Sequence, residues 1–313
     1  MGEDLTVVFG AGAVGGPIAR ALLARGQRVR VAQRTQGAGL PEGAEFMATD
    51  ILDAAAVARA AAGARQVVLS VGFAYDSRLW RRVWPATMAN VLAACEAAGA
   101  RLVFIDNLYQ LGPQAAPRTE AMPLSDRGDK PAILSQVTRQ WQAAAGRGLK
   151  VAALRCPDFY GPGVDVSHIG ATGFGRVAAG QPAMLIAPPD TPHDFAYVPD
   201  IVRAALALLD TGDDAYGQAW NVPCAPTLTP RQILALGARA IGARLRVAAI
   251  PLWTLPVLGL AVRFLREVND VRFTFDRPYV VDSGKFQRRF GLAPTPYAEG
   301  AAATARAYAT AAG

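Results

Sequence analysis

Histidine and cysteine are scarce in this sequence of 313 residues, and their scarcity excludes several kinds of site. The chain has two histidines, His168 and His193, which excludes a histidine-rich metal site. Its three cysteines, Cys95, Cys156 and Cys224, are far apart, odd in number and form no Cys-x-x-Cys motif. This spacing argues against a disulfide framework and a zinc site, and it is typical of a reducing compartment. We therefore expect a cytoplasmic protein without a bound metal.

No hydrophobic run is long enough to span a bilayer. The most apolar stretch, residues 247–262, falls short of the ~20 residues that a transmembrane helix needs, and it contains two prolines. We interpret it as core or as the wall of an apolar pocket. A second interpretation, contact with a membrane surface, rests on Arg263 and Arg266 beside it. The N-terminus, MGEDLTVVFG, does not resemble a signal peptide, so we expect no integral membrane segment.

Charge is modest in amount and basic in sign. Charged residues make up 18% of the chain, the net charge is +7 and the isoelectric point is about 9.7. The arginines are spread singly or in pairs, whereas a nucleic-acid-binding protein clusters its basic residues on one face. We therefore expect no nucleic-acid partner. A basic surface does attract small anionic ligands such as nucleotides.

Apolar runs of strand length alternate with helical patterns over the first half of the chain. The runs are LTVVFG (5–10), QRVRVAQR (27–34), EFMATD (45–50), QVVLSVG (66–72), VFID (103–106) and KVAALRC (150–156). Nearly continuous apolar strands separated by helices are typical of a parallel sheet that is covered on both faces. The fold class that we predict is α/β, a Rossmann-type doubly wound parallel sheet.

The alternation loosens after about residue 160, where glycine and proline become frequent. A helical pattern at 200–210 and the short run AWNV at 219–222 resemble a return to the sheet. We predict a dinucleotide-binding Rossmann domain over 1–160, to which 195–223 returns. A smaller, mostly helical C-terminal substrate domain would comprise 161–194 and 224–313.

Three glycines follow the first predicted strand in GxGxxG spacing: Gly10, Gly12 and Gly15. In a dinucleotide-binding turn the first glycine permits the sharp turn and the second lets the backbone approach a pyrophosphate. The third allows close packing of helix and strand, and the helix N-terminus attracts the anion. A tight turn without a ligand is the alternative. The predicted cofactor contacts here are Gly10, Gly12, Ala13, Val14 and Gly15.

The end of the second predicted strand bears on the choice between NAD and NADP. In NAD-binding folds an acidic residue about 20 positions after the glycines binds the ribose 2′-OH. This chain has Gln33, Arg34 and Thr35 there, and Arg34 is placed to meet a 2′-phosphate, so NADP is favoured over NAD. An ordinary surface arginine is the alternative. Asp50 would lie near the adenine or cap the next helix. The other predicted cofactor contacts are Thr35, Asp50, Ile51, Val71 and Gly72.

Several later motifs carry a resemblance to a known family. They are Asp50 and Asp53 in a D-x-x-D segment, RCPDFYGPG (155–163), HDFAYVPDIVRAAL (193–206) and VDSGKFQRRFGLAPTPYAEG (281–300). In this order and spacing the chain resembles the extended and atypical short-chain dehydrogenase/reductases. The closest resemblance is to the NAD-dependent epimerase/dehydratase branch, and it extends over nearly the whole sequence.

The resemblance implies an active site after the strand that ends at Asp106. A Ser or Thr of the family that hydrogen-bonds the substrate oxygen is replaced here by Asn107, and Tyr109 adds a phenol nearby. Capping of the strand turn by Asp106 and Asn107 is the alternative. The family's Tyr-x-x-x-Lys pair is absent from the next segment, SDRGDKPAILSQVTRQW. Lys130 falls near the tyrosine position, before Pro131 at the expected first helical position, so that its ammonium would enter the cleft mouth as a proton donor or anion ligand. A surface lysine is the alternative.

Aromatic and polar side chains from several segments are candidates for a substrate pocket. They are Phe73, Tyr75, Asp158, Phe159, Tyr160, His168 and His193. Sugar-nucleotide relatives have an arginine at the position of His193, so the histidine favours a small or hydrophobic carbonyl substrate. A structural role for His193 is the alternative. Trp80 and Trp84 lie four residues apart on one helix face and are expected in the core.

These observations lead to a function and to two alternatives. The leading hypothesis is an NADP(H)-dependent oxidoreductase that acts on a small or hydrophobic carbonyl or alcohol, with Asn107, Tyr109 and Lys130 as catalytic candidates. The alternatives are a sugar-type epimerase or dehydratase of the same family and a non-catalytic NADP-sensing regulator. The resemblance also suggests a homodimer through the long helices.

Overall fold

Seven strands form the main sheet of the fold. The computed structural model describes residues 4–37 and 39–312. The strands in chain order are β1 (Leu5–Phe9), β2 (Arg28–Gln33), β3 (Glu45–Ala48), β4 (Ala64–Leu69), β5 (Arg101–Asp106), β6 (Val151–Arg155), β7 (Phe159–Tyr160), β8 (Ala183–Leu185), β9 (Ala196–Tyr197), β10 (Gln218–Asn221) and β11 (Val247–Ala249). The sheet has the order β10-β6-β5-β4-β1-β2-β3, and the pairs from β3 to β6 are all parallel. The predicted Rossmann-type α/β fold is confirmed.

Eleven α-helices occur in the described chain, besides four 3-10 turns and a six-residue π-helix at Gly170–Gly175. They are α1 (Gly15–Ala24), α2 (Ala54–Ala61), α3 (Ser77–Ala98), α4 (Asp129–Gly146), α5 (Arg176–Ala178), α6 (Val198–Asp210), α7 (Pro230–Ala240), α8 (Leu255–Ala261), α9 (Arg263–Asp270), α10 (Gly284–Phe290) and α11 (Tyr297–Ala312). Side chains fix several helix starts: Asp53 caps α2, Asp76 caps α3 and Thr229 forms a capping box with Gln232 at α7.

The chain divides into two compact units. Unit 1 takes in the chain up to Gln110, Leu124–Arg155 and Val202–Trp220; unit 2 takes in Leu111–Pro123, Cys156–Ile201 and the chain from Asn221. The core of unit 1 lies between the sheet and helices α2, α3 and α4. It contains Trp80 and Trp84, 6% and 5% exposed, so the core prediction for this pair is confirmed.

Two features of the sequence interpretation are wrong. Helix α4 begins at Asp129 after Gly128, so Pro131 is its third residue and not its first. Proline is accepted there because the first turn of a helix needs no internal N–H donor. The stretch 247–262 is core only in part: Leu255 is 0% exposed, but Trp253 is 77% exposed and Leu260 is 88% exposed. Hydropathy identifies the stretch as apolar but does not say whether another element covers it.

Unit 2 has its own apolar core. Its rings include Tyr160 and Phe174, whose centroids lie 6.3 Å apart, and Tyr297 beside them. Tyr160 is 1% exposed, which corrects the expectation that its ring lines a substrate pocket. Helices α7 and α11 flank this core with buried Ile233, Leu234 and Ala301.

Candidate functional site

The glycine turn after β1 has the close backbone packing that its spacing predicts. Gly10 has a φ of +88°, and its N–H donates to the carbonyl of Ala32 at 3.1 Å. A Cβ on Gly10 would lie 2.7 Å from the Ser70 carbonyl oxygen, and one on Gly15 would collide with the Gly10 carbonyl oxygen. A Cβ on Gly12 would meet nothing within 4 Å. Gly10 and Gly15 are therefore needed to form the turn, whereas Gly12 leaves space in front of it.

A cavity of about 520 Å³ opens in front of this turn, at the carboxyl ends of β1, β2, β3 and β4. Ligands of open α/β sheets bind at this edge. Predicted cofactor residues that line it are Gly10, Gly12, Arg34, Asp50, Ile51, Val71 and Gly72. The position and size of the cavity suit a dinucleotide.

Four predicted cofactor residues do not line this cavity: Ala13, Val14, Gly15 and Thr35. Val14 and Gly15 are buried where the turn enters α1, while Ala13 and Thr35 are exposed. Phe73, predicted on the substrate side, lines the cofactor cavity instead and packs edge-on against Trp84 at 5.0 Å.

The sequence interpretation missed Gln33 and Arg82, which both line the cavity. Arg82 could have been found from helical spacing, because Leu79, Arg82 and Val83 lie on one face of α3 and all three line the cavity. Gln33 is neutral and gives no charge signal. Its Oε1 accepts the Ala11 N–H at 2.9 Å and its Nε2 donates to the Thr35 carbonyl at 3.0 Å, which ties the glycine turn to the end of β2.

Asp50 lines the cavity, and Asp53 rather than Asp50 caps the next helix. Asp53 Oδ1 accepts the N–H groups of Ala55 and Ala56 at 2.9 and 3.1 Å. Asp50 Oδ1 accepts the Leu52 N–H at 3.0 Å in the turn before the helix. The capping alternative for Asp50 is therefore wrong for α2.

The carboxylate at the end of β5 belongs to a buried ion pair. Asp106 Oδ2 lies 3.6 Å from Arg155 Nε and accepts a hydrogen bond from Gln110 Nε2 at 2.8 Å. Both charged side chains are 2% exposed. Burial raises the pKa of Asp106 to about 6, although Arg155 and the hydrogen bonds oppose this shift. This arrangement gives Asp106 a structural role.

Asn107 both caps a turn and retains a donor. Its Oδ1 accepts the Tyr109 N–H at 2.9 Å, at the start of a short 3-10 turn over Tyr109–Leu111. The capping alternative is thus correct for the oxygen. Because the N–H donor identifies the oxygen, the orientation of the amide is fixed. Within residues 4–37 and 39–312, the Nδ2 group of Asn107 has no hydrogen-bond partner. Asn107 can therefore donate to a ligand oxygen.

Unit 2 contains a histidine–carboxylate cluster. His193 Nε2 lies 3.1 Å from Asp158 Oδ2, with the histidine side chain 3% and the aspartate 23% exposed. Burial by itself would raise the pKa of Asp158, but the hydrogen bond and charge of His193 outweigh it and hold the pKa below its usual value. His168 is 4.7 Å from the Phe275 ring, and burial lowers its pKa to about 4. Asp158 is therefore an anionic, partly accessible acceptor.

The other substrate candidate from this strand is Phe159, which pairs with Ala196 in a short parallel ladder and is half-buried. Its carbonyl accepts the Ser167 hydroxyl at 2.6 Å. Its backbone therefore orders the segment that leads to His168.

A buried arginine in unit 2 was not expected from the sequence. Arg118 is 0% exposed, and its guanidinium carbon lies 3.7 Å from the centroid of the Tyr279 ring. Its three guanidinium nitrogens have no hydrogen-bond partner within the described residues. Burial lowers the pKa of Arg118. Nothing in the polar loop sequence around it signals this burial.

The family of the chain follows from a comparison with family models. The model described as the NAD dependent epimerase/dehydratase family matches residues 6–222. The chain belongs to this family. A search of curated protein sequences gives no match.

Solved structures with the same fold include nucleotide-sugar enzymes. MoeE5 in complex with UDP-glucose and NAD superposes with a TM-score of 0.82 at 19% identity, covering 99% of this chain and 100% of that one. UDP-glucose 4-epimerase from Thermotoga maritima gives 0.81 at 19%, covering 99% and 100%. DesIV, a dTDP-glucose 4,6-dehydratase from Streptomyces venezuelae, gives 0.76 at 22%, covering 97% and 96%. At these identities the likeness shows the fold.

Lys130 lies away from the surface of this protein. Lys130 is 0% exposed, and its Nζ lies 4.3 Å from the centroid of the Tyr75 ring and 5.7 Å from that of Trp80. The surface-lysine alternative is therefore wrong, and so is the expectation that the ammonium enters a cleft mouth. Two aromatic faces stabilise the buried charge instead.

No cluster of three or more His, Cys, Asp or Glu side chains able to hold a metal occurs among residues 4–37 and 39–312. Across the same residues, no helix is both long and apolar enough to cross a membrane.

Proposed function

We propose that this member of the family binds NADP(H) and catalyses hydride transfer to or from a small or hydrophobic carbonyl or alcohol. The observation that carries the cofactor proposal is the end of β2 at the cavity. Neither Gln33 nor Arg34 is acidic, and the Gln33 amide already bonds to the glycine turn. Neither residue provides a carboxylate that could bind a ribose 2′-OH, whereas the guanidinium groups of Arg34 and Arg82 suit a phosphate.

The chemistry proposed for the chain rests on Asn107. NADPH, when bound, supplies the hydride. Asn107 Nδ2 donates to the substrate oxygen and stabilises the negative charge that develops there. Tyr109, two residues further along the same turn, supplies the proton as a general acid. Lys130, held over Tyr75 and Trp80, adds a fixed positive charge in unit 1 rather than a mobile proton donor.

The substrate proposal rests on Asp158. Its carboxylate engages His193 Nε2 at 3.1 Å, and the histidine side chain is 3% exposed, so this pair offers no unpaired cation to a diphosphate. This favours a neutral carbonyl substrate over the UDP- and dTDP-sugars of the structural neighbours. Sugar-type epimerase or dehydratase chemistry remains the alternative within the family. It would appear as a changed sugar product without net consumption of NADPH.

The experiment combines cofactor titration with turnover. Arg34→Ala should weaken the binding of NADPH much more than the binding of NADH, by roughly the 1.5–3 kcal/mol of a charged hydrogen bond. The matched control is Arg20→Ala, because Arg20 is an exposed arginine on α1 outside the cavity. Equal losses for both cofactors would refute the 2′-phosphate role.

Turnover is then followed as NADPH oxidation with a panel of ketones, aldehydes, imines and quinones. Asn107→Ala and Tyr109→Phe should each lower kcat while leaving the Kd for NADPH nearly unchanged. Unchanged kcat in both variants would refute these two assignments.

A second candidate, a non-catalytic NADP-sensing protein, is favoured by one specific observation. The segment from Ser125 to Trp141 has no tyrosine, and its only lysine is enclosed by aromatic rings. A sensor should bind NADP+ and NADPH with different affinities and oxidise NADPH with no member of the panel. Equal affinities together with turnover would exclude it.

A further inference from the structure

Exposed large hydrophobic side chains are concentrated in one short stretch of unit 2. Nine such side chains are exposed among the described residues, and six of them fall within residues 253–264. They are Trp253, Val257, Leu258, Leu260, Val262 and Phe264. The other three, Leu52, Val166 and Met184, are far apart in the sequence. Scattered exposed hydrophobics are ordinary, whereas a cluster marks an interaction surface.

The cluster is presented by a packed helical hairpin of α8 and α9. The two helices touch at Gly259, where an added Cβ would lie 3.0 Å from the Arg266 Cα. Leu255 is 0% and Leu265 8% exposed, so the hairpin has its own buried side. The outward side chains are therefore held in place by packing on the opposite side. We call the six exposed side chains and their helices the apolar hairpin.

The exposed charges of the apolar hairpin are basic, because its two carboxylates, Glu267 and Asp270 on α9, are buried and half-buried. Residues 215–266 include six arginines and neither aspartate nor glutamate. Arg263 and Arg266 are exposed within the hairpin itself, and Arg244 and Arg246 are exposed before it. Arg231 is paired with Asp190 at 2.7 Å. The surface that complements the hairpin is therefore apolar at its centre and anionic around it.

We propose that the apolar hairpin docks on the surface of a bilayer that contains anionic lipids. An apolar face flanked by basic side chains lies in the plane of the interface, with its apolar residues at the acyl boundary and its cations among the headgroups. Trp253 suits this depth because indole has an apolar body and a polar N–H. A second copy of the chain fits less well, since its interface would bring two arginine rims together while the carboxylates of the hairpin, Glu267 and Asp270, are buried and half-buried.

Vesicle binding of the full chain tests the proposal directly. The protein is mixed with vesicles of phosphatidylcholine alone or with phosphatidylglycerol added, and binding is measured by co-sedimentation. Trp253 is the one exposed tryptophan of five, because Trp80, Trp84, Trp141 and Trp220 are at most 6% exposed. A blue shift of its emission therefore reports burial at the lipid. We expect binding and a blue shift with the mixed vesicles and little of either with phosphatidylcholine alone.

Variants separate the apolar and basic contributions. Leu260→Ser should weaken binding to the mixed vesicles about tenfold. Arg263→Gln and Arg266→Gln should each weaken it about fivefold. The matched control is Val166→Ser, because Val166 is 94% exposed but lies outside the hairpin, and it should change nothing. Unchanged far-UV circular dichroism verifies folding of each variant.

Three results would overturn the proposal. The first is no binding to either vesicle. The second is equal binding to both kinds of vesicle, which would show that the hairpin does not recognise anionic lipid. The third is self-association in sedimentation velocity that Leu260→Ser abolishes, which would make the hairpin an interface between copies. None of these outcomes depends on the cofactor or on turnover, so they leave the proposed function untouched.

Discussion

Replacing Gly12 by alanine separates the ligand-binding role of the glycine turn from its structural role. Gly12 lines the cavity in front of the turn, its φ is not positive, and an added Cβ would meet no heavy atom within 4 Å. The methyl group would therefore occupy only space that a bound dinucleotide needs. Gly15→Ala is the structural counterpart, because its Cβ would collide with the Gly10 carbonyl oxygen.

Gly12→Ala should not weaken folding, but it should weaken the binding of NADPH. Gly12→Ala should leave the free energy of unfolding unchanged or raise it by up to about 1 kcal/mol, since the unfolded chain loses freedom. An extra methyl in a well-packed contact costs ~1–3 kcal/mol, which corresponds to a roughly 5- to 150-fold higher Kd for NADPH. Gly15→Ala should instead lower the free energy of unfolding, because backbone must move.

The assay is NADPH titration by fluorescence beside urea unfolding of each variant. Gly146→Ala serves as a control, because Gly146 lies at the end of α4, away from the cavity, and its added Cβ would also meet nothing within 4 Å. It should bind NADPH as the parent chain does. An unchanged Kd in Gly12→Ala would refute the placement of a dinucleotide at this turn.

Three further predictions concern buried or partly buried charges. The pKa of Asp106 is raised from 3.8 to about 6, so between these pH values the folded state holds a proton that the unfolded state has lost. The free energy of unfolding should therefore fall as pH rises through this range, by about 3 kcal/mol in total. Asp106→Asn should remove that slope in urea unfolding, and an unchanged slope would contradict the assignment. Arg118→Met keeps an apolar stem over Tyr279 and removes a buried charge that has no hydrogen bonds. The free energy of unfolding should therefore stay unchanged or rise by up to about 4 kcal/mol. A large decrease in this free energy would contradict the absence of a partner for the guanidinium. Asp158→Asn removes an anion, so UDP-glucose should bind roughly tenfold or more tightly in calorimetry. An unchanged or weaker affinity would show that Asp158 does not exclude diphosphates.

The sheet and its glycine turn were predictable because they depend on local rules. Buried parallel strands such as β1 are apolar over most of their length, and Val7 and Val8 are both 0% exposed. The turn requires glycine at Gly10 and Gly15 for steric reasons that act within a few residues. Such constraints are visible in sequence spacing alone.

The side-chain environments were less predictable because they depend on packing between distant segments. Lys130 is buried because Tyr75 and Trp80, about 50 residues earlier, supply ring faces. Arg118 lies against Tyr279, which is still further away in the chain. The apolar hairpin shows the same limit, since α8 has the apolar composition of a core helix and only the folded neighbours decide its exposure.

Deuterium transfer distinguishes hydride transfer from binding of the cofactor alone. The chain is supplied with NADPH carrying deuterium at the transferable position of the nicotinamide and with the best carbonyl acceptor of the panel, and the product is analysed by mass spectrometry. We expect one deuterium on the former carbonyl carbon, transferred at a rate that falls in Asn107→Ala. NADPH that binds in the cavity yet retains its deuterium with every acceptor would contradict hydride transfer and leave a cofactor-binding protein without this chemistry.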